Sequence, residues 1–165
     1  MKKILLILMA MLAFGIQNVS AQDAPLKIVT NHPDFKVKVK RCAASGKTVV
    51  LDLVLNNDGV NDVENVISFG GAIFGDYKSE AYDDEGNIYK GDDVKIKVAN
   101  SQDYSKNTGK FNILSGVPMR ISIRIDGVSQ SAESIARLKL MFECKTWGLD
   151  YHNPVIFSNI PISRD

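Results

Sequence analysis

The chain is poor in the side chains that most often perform catalysis or bind metals. Its 165 residues contain two cysteines, two histidines and one tryptophan. His32 and His152 lie far apart, and no H-x-x-x-H or C-x-x-C spacing occurs, so no zinc site is predicted. The 20 lysines and arginines nearly balance the 19 acids, which gives no general indication of nucleic-acid binding.

The sequence also lacks the motifs of common enzyme classes. G-x-S-x-G, the P-loop and G-x-G-x-x-G are all absent, so acyl transfer and nucleotide chemistry have none of their usual scaffolds. The adjacent acids at Asp83–Glu85 and Asp92–Asp93 neighbour Gly86 and Gly91, which is typical of solvated turns. These absences predict that the protein is not an enzyme. A small extracytoplasmic enzyme is the disfavoured alternative.

The first 21 residues predict a secretory signal peptide. Lys2 and Lys3 form a basic start, an apolar run follows, and Val19-Ser20-Ala21 offers a cleavage site of small residues. The predicted organisation is a signal peptide over 1–21 and one domain over 22–165. No later run reaches the ~18 apolar residues of a membrane span. We therefore expect an exported protein in the periplasm or at the cell surface, without a membrane span after the signal is removed.

Apolar and polar residues alternate over most of the remaining chain. Alternation with a period of two is typical of half-buried strands, and its clearest runs are 35–39, 49–55, 94–98, 121–125, 138–144 and 155–157. Weaker runs near 26–30, 63–69, 77–82 and 110–114 raise the number of expected strands to about eight to ten. Only Ser131–Arg137 suggests a helical turn. The pattern predicts an all-β fold, an antiparallel β-sandwich.

Several segments carry a family resemblance. They are a strand ending near Cys42, the turn Asn56-Asn57-Asp58-Gly59, the hairpin over 81–89 and the terminal run over 157–162. Together they resemble the immunoglobulin-like β-sandwich modules of secreted bacterial proteins that form a domain-of-unknown-function group. The resemblance implies an immunoglobulin-like fold and an extracytoplasmic location, and it carries over no functional residue. Trp147 departs from true immunoglobulin domains, because it follows Cys144 instead of lying between the two cysteines.

The two cysteines invite a disulfide. An even cysteine count in an exported chain favours the pair Cys42–Cys144, with two separate thiols as the alternative. Cys144 shares the parity of the apolar positions in its run, whereas Cys42 shares that of Lys38 and Lys40. A β-bulge near Arg41 would turn Cys42 to the apolar side.

Charge is distributed unevenly along the chain. Residues 58–93 hold ten acids and two bases, a net charge of −8. Many bases instead occupy alternating strand positions, namely Lys36, Lys38, Lys40, Lys95, Lys97, Arg120 and Arg124. If these strands are neighbours, the outer face of one sheet binds anions such as acidic glycans or other envelope components. Alternatively, these lysines only protect solvated faces and edges from aggregation.

Loop residues offer two further predictions. Trp147 and Tyr151 lie near a predicted loop, where aromatic rings could stack on sugars. The oxygen-rich loops over 56–64 and 83–87 make structural calcium an alternative to the main expectation of no cofactor. The combined prediction is a non-enzymatic binding module of the envelope whose partner is a protein or a glycan and not nucleic acid. The sequence indicates no oligomeric state.

Overall fold

The computed structural model describes residues 24–69, 78–99, 103–146 and 149–164, and the predicted signal peptide over 1–21 lies outside these ranges. Within these ranges the chain forms twelve strands and one short 3-10 turn at Gly91–Asp93. The strands are β1 (Lys27–Thr30), β2 (Phe35–Ser45), β3 (Thr48–Asn57), β4 (Val63–Phe69), β5 (Glu80–Asp83), β6 (Ile88–Tyr89), β7 (Val94–Val98), β8 (Asn107–Ile113), β9 (Met119–Ile125), β10 (Ser134–Thr146), β11 (Leu149–Pro161) and β12 (Ser163–Arg164).

The strands form two sheets. One sheet has seven strands in the order β1-β11-β10-β4-β8, and β5 lies beside β10 and carries β6 on its other side. The other sheet has five strands in the order β12-β2-β3-β9-β7. Between the described strands, all pairings are antiparallel except that of β12 with β2. The predicted all-β fold and antiparallel β-sandwich are confirmed, whereas the immunoglobulin-like assignment stays a prediction.

The core lies between the two sheets. Alternate residues of each strand point into one buried cluster, and successive side chains of a strand face opposite sides. From the five-stranded sheet the cluster takes Val49, Leu51, Leu53, Leu55, Ile121, Ile123 and Ile125, and from the seven-stranded sheet Ile135, Leu138, Leu140, Phe142, Val155, Phe157 and Ile160. Each such side chain stabilises the fold by about 1.5–3 kcal/mol when fully buried.

Loops gather at the two ends of the sandwich. One end, the first loop end, carries the β2–β3 turn, the β5–β6 hairpin and the β9–β10 loop, since Val49 pairs with Ile125 and Ile135 with Asp83. The β3–β4 and β8–β9 loops lie at the other end. The helical turn expected over Ser131–Arg137 is wrong, because β10 begins at Ser134 and pairs there with β11. Strand pairing outweighs a weak local helix signal. No helix in the described ranges could cross a bilayer.

A bulge in β2 sets the direction of Cys42. The pairing of β2 with β3 shifts register between Val39 and Arg41, at the position where a bulge would turn Cys42 to the apolar side. The extra residue reverses the facing of the rest of the strand. Cys42 is therefore turned into the core and is only 7% exposed.

The predicted Cys42–Cys144 disulfide is not present in the structure, where Cys42 is a free thiol. Cys42 is followed by Ala43, which pairs with Ser163 of β12. Since β12 comes shortly after Pro161, and Pro161 pairs with Ser134, Cys42 lies near the end of β10 that begins at Ser134. Cys144 lies ten residues further along β10, or roughly 33 Å at the rise of a regular strand. A disulfide requires Cα atoms within about 7 Å. The even cysteine count indicated a bond that the strand order does not permit.

We expect the Cys42 thiol to be inert in the folded protein. Burial raises the pKa of this thiol to about 12, and the thiolate is the reactive form. In a Cys144→Ser variant, iodoacetamide should label Cys42 only after the protein is unfolded. The unfolded variant serves as the control for complete labelling. Rapid labelling of the native variant, or wild-type protein that shows no free thiol in denaturant without reductant, would contradict the structure.

Candidate functional site

The outer face of the five-stranded sheet collects most of the alternating bases. The apolar residues of β2, β3, β9 and β7 turn toward the core, so their polar neighbours project to the other side. We call this surface the basic face, and its cations are Lys36, Lys38, Lys40, Arg41, Lys95, Lys97, Arg120 and Arg124. The condition that these strands are neighbours is met, since β2 and β9 flank β3, and β7 follows β9.

The strand register orders these cations in rows across the sheet. Val54 of β3 pairs with Lys38 on one side and with Arg120 on the other. In the next row Asp52 lies between Arg41 and Ser122. Neighbouring strands lie about 4.8 Å apart, and successive outward residues of one strand about 6.8 Å apart. The cations are therefore close enough for their fields to add.

Two carboxylates neutralise part of this charge. Asp52 accepts a hydrogen bond from Arg41 Nε at 2.9 Å and another from Ser122 Oγ at 2.6 Å. Asp126, directly after β9, accepts bonds from Arg124 Nε at 2.8 Å and Lys95 Nζ at 3.1 Å. Partial burial raises the pKa of Asp126, but the bonds from Arg124 and Lys95 outweigh it, and the pKa is lowered. Asp126 therefore stays ionised among these cations.

Five cations of the basic face remain without such a partner. Among the described residues, Lys36, Lys38, Lys40, Lys97 and Arg120 take part in no ion pair. With eight cations and two carboxylates, the face carries a net charge of +6. A surface of one sign raises the local concentration of counter-ions and steers anionic partners toward itself.

A depression interrupts the basic face between β2 and β9. It has a volume of about 760 Å³, and its lining includes Lys40, Asp52, Val54, Arg120 and Ser122. The sequence analysis did not identify Arg41, Asp52 or Ser122 as members of this surface. A signal for Asp52 was present, because it is the one acid at an outward position of the 49–55 run.

Of the two predicted aromatic residues, Tyr151 alone belongs to the part of the chain that the structure describes. Trp147 lies outside the described residues. Tyr151 belongs to β11, where its backbone pairs with Cys144 in the seven-stranded sheet. The stacking of sugars on these two rings therefore stays a prediction, whereas Lys36, Lys38 and Lys40 all lie on the basic face.

Eight of the ten acids of the 58–93 segment lie at one or the other end of the sandwich. Asp58, Asp62 and Glu64 lie in or next to the β3–β4 loop, and Asp83–Glu85 and Asp92–Asp93 lie at the first loop end. The described residues contain no group of three or more His, Cys, Asp or Glu side chains that could hold a metal ion. Structural calcium in the oxygen-rich loops over 56–64 and 83–87 stays a prediction.

Asp83 organises the first loop end. Its Oδ1 accepts the backbone N–H groups of Glu85 at 3.1 Å and Asn87 at 2.8 Å. Its Oδ2 accepts Asn87 Nδ2 at 2.9 Å and the Tyr89 hydroxyl at 2.7 Å, while the Tyr89 oxygen accepts the Ser129 N–H at 3.2 Å. This network fixes the β5–β6 hairpin against the β9–β10 loop. The Asp83 carboxylate accepts four hydrogen bonds from the hairpin, which is about its full capacity. Its role is therefore structural.

The ionisation of Asp83 follows from these bonds. Burial raises the pKa of the carboxyl, but the hydrogen bonds from Asn87, Tyr89 and Glu85 outweigh burial, so the pKa is lowered. Burial and the bond to Asp83 together raise the pKa of Tyr89 to about 12. The pair therefore holds a carboxylate and a neutral phenol at neutral pH.

We expect Asp83→Asn to destabilise the protein in a pH-dependent way. The amide nitrogen cannot accept the two charge-assisted bonds of Oδ2, and each lost bond should lower the free energy of unfolding at neutral pH by about 1.5–3 kcal/mol. A lowered folded-state pKa gives stability above the normal Asp pKa that is lost as the pH falls through the folded value. Urea denaturation from neutral to acidic pH should show the difference from wild type shrinking. Asp84→Asn, at an exposed neighbour, is the control, and a pH-independent difference would contradict this role.

Comparison with known proteins assigns no family. No protein-family model matches the chain, and no curated protein matches it at a significant level. A family 123 glycoside hydrolase from Clostridium perfringens, whose structure was analysed for glycolipid glycan hydrolysis, is similar at 15% identity with a TM-score of 0.39. The similarity covers 86% of this chain and 28% of that chain, so the chain spans under a third of the hydrolase. At this level the similarity carries no argument about activity.

Proposed function

We propose that the protein is an exported, non-enzymatic binding module that holds an anionic partner of the bacterial envelope on its basic face. The observation that carries the proposal is the group of five cations without an ion pair in the described structure, gathered on one side of one sheet. Electrostatic complementarity of this kind speeds association and selects partners by charge. An acidic glycan or an acidic protein surface has the required chemistry.

Protection against aggregation explains only part of this surface. Lysines on an edge strand prevent the pairing of one sheet with another, and Lys36, Lys38 and Lys40 lie on β2, whose edge is covered by β12 only at Ala43 and Ala44. Arg120 instead lies on β9, an interior strand with β3 on one side and β7 on the other. An interior strand has no open edge to protect, so Arg120 favours a binding role.

The chemistry of the basic face supports binding over catalysis. Its ionisable groups are lysines, arginines and two carboxylates that accept hydrogen bonds from their neighbours. A nucleophile with a general base, or an acid with a raised pKa, would indicate hydrolysis. The face instead presents a net positive charge, which is the property that a polyanion recognises.

We expect binding to a heparin-type polyanion that weakens steeply with added salt, because exposed charges are screened over about 8–10 Å at physiological ionic strength. The triple variant Lys36→Gln, Lys38→Gln, Lys97→Gln should lower the affinity about tenfold. This follows from about 0.5 kcal/mol for each exposed ion pair and about 1.4 kcal/mol for each factor of ten. Isothermal titration calorimetry at two salt concentrations measures both effects.

The matched control removes the same charge from the other sheet. Lys27→Gln, Lys110→Gln, Arg137→Gln alters three exposed residues of β1, β8 and β10. This control should retain nearly the full affinity. Equal losses in the two triple variants, or binding that does not respond to salt, would argue against the basic face as the binding surface.

Export is tested separately from binding. Expression of the full chain in a bacterium should give a secreted or periplasmic product whose N-terminus is Gln22, because cleavage is expected after Val19-Ser20-Ala21. Mass spectrometry of the intact product measures the cleavage site, and a variant with Lys2→Glu, Lys3→Glu serves as a control with an impaired signal. A product that retains residues 1–21 in the cytoplasm would overturn the export part of the proposal.

A further inference from the structure

The bulge in β2 gives the basic face a local site in addition to its overall charge. Lys40 and Arg41 are consecutive and both exposed, because the register shifts between Val39 and Arg41. Arg41 is committed to Asp52 by the ion pair at 2.9 Å. Lys40 lines the depression. In the described structure it forms no ion pair with a carboxylate.

The opposite wall of the depression belongs to β9. Arg120 is exposed there, and its backbone carbonyl accepts the N–H of Ala99 at 2.8 Å. Ala99 has a φ of +49° and lines the same depression. Val54 pairs with Arg120 across the strands and contributes an aliphatic surface to the lining. The depression thus joins two cations from different strands with an apolar contact surface.

Asp52 restricts the chemistry of a ligand in this depression. Its side chain is 31% exposed, and each of its oxygens accepts one bond, from Arg41 or from Ser122. A carboxylate has about four lone-pair positions, so it can accept further hydrogen bonds. A ligand with phosphate groups and no donors is repelled by this charge. A ligand that carries both an acidic group and hydroxyl donors is attracted by Lys40 and Arg120 and also satisfies Asp52.

We propose that this depression is a subsite for one acidic sugar residue. The acidic group of the sugar, a carboxylate or a sulfate, contacts Lys40 and Arg120, a hydroxyl donates to Asp52, and the C–H surface of the ring lies against Val54. The inference rests on the proposed function of the basic face and names the class of its ligand as an acidic glycan. The remaining cations attract the rest of the polymer without fixing its position.

The first test compares two charge-matched double variants of the basic face. Lys40→Gln, Arg120→Gln removes the cations of the depression, whereas Lys36→Gln, Lys97→Gln removes two cations outside it. Calorimetric titration with a galacturonic acid oligomer and with a sulfated, uronate-free dextran oligomer of equal length distinguishes a carboxylate from a sulfate. With the preferred oligomer, the depression variant should bind at least tenfold more weakly than the control variant. Circular dichroism melts of both variants confirm that they are folded.

The second test isolates the hydroxyl acceptor. Asp52→Asn should weaken binding of the preferred oligosaccharide about fivefold and should strengthen binding of duplex DNA, since it removes a negative charge from a basic surface. Arg41→Gln removes the ion-pair partner of Asp52 but keeps the acceptor. Arg41→Gln should therefore change the affinities for the oligosaccharide and for the DNA to a similar extent.

The outcomes separate the subsite from the proposed function. If both double variants lose affinity equally, the polymer is held by diffuse charge, and the subsite is overturned while the basic face remains the binding surface. If Asp52→Asn strengthens the binding of both the oligosaccharide and the DNA, the proposed hydroxyl contact is overturned. A ligand that offers only negative charge is then favoured. If the parent protein binds neither oligomer nor DNA at low salt, the proposed function fails and the subsite fails with it.

Discussion

The burial of one side of β3 is the constraint on which the rest of the surface depends. Val49, Leu51, Leu53 and Leu55 are almost completely buried, and a shift of one residue would move this whole set to solvent. The register of β3 is therefore fixed strongly. Since β2 and β9 must pair with β3 in the register that buries their own apolar residues, the outward positions of the three strands are fixed as well. The basic face is the reverse side of the hydrophobic core.

Among β2, β3 and β9, the bulge in β2 is the one departure from this regular arrangement. Without it, strict alternation from Phe35 onward would turn Cys42 to solvent and Arg41 to the core. The extra residue turns the thiol inward and leaves Lys40 and Arg41 exposed together. The bulge that keeps Cys42 in the core therefore also places two adjacent cations on the surface. Bulges often redirect side chains next to functional surfaces, and here the redirected side chains flank the depression.

The sequence predicts the features that depend on local periodicity. The alternation in 35–39, 49–55 and 121–125 identifies the strands and their outward cations. The parity conflict at Cys42 indicates only that a bulge near Arg41 would turn the thiol to the apolar side. Features that depend on pairing between distant segments are not predictable in this way. The distance between Cys42 and Cys144 depends on where β12 and β10 lie, and the bonds of Asp52 depend on β9 lying beside β3. The start of β10 at Ser134 is likewise decided by β11.

The clustering of cations carries an energetic cost that a ligand can offset. Two unit charges about 6.8 Å apart repel by roughly 0.6 kcal/mol in water, and salt reduces this further. The cost is small for each pair, so a fold with a well-buried core tolerates five cations without partners. Asp126 neutralises the end of the face near Lys95 and Arg124, and Asp52 engages Arg41. Four of the five free cations thus lie on β2 and β9, the strands on either side of the depression. A polyanion placed there relieves their repulsion, whereas an uncharged partner does not.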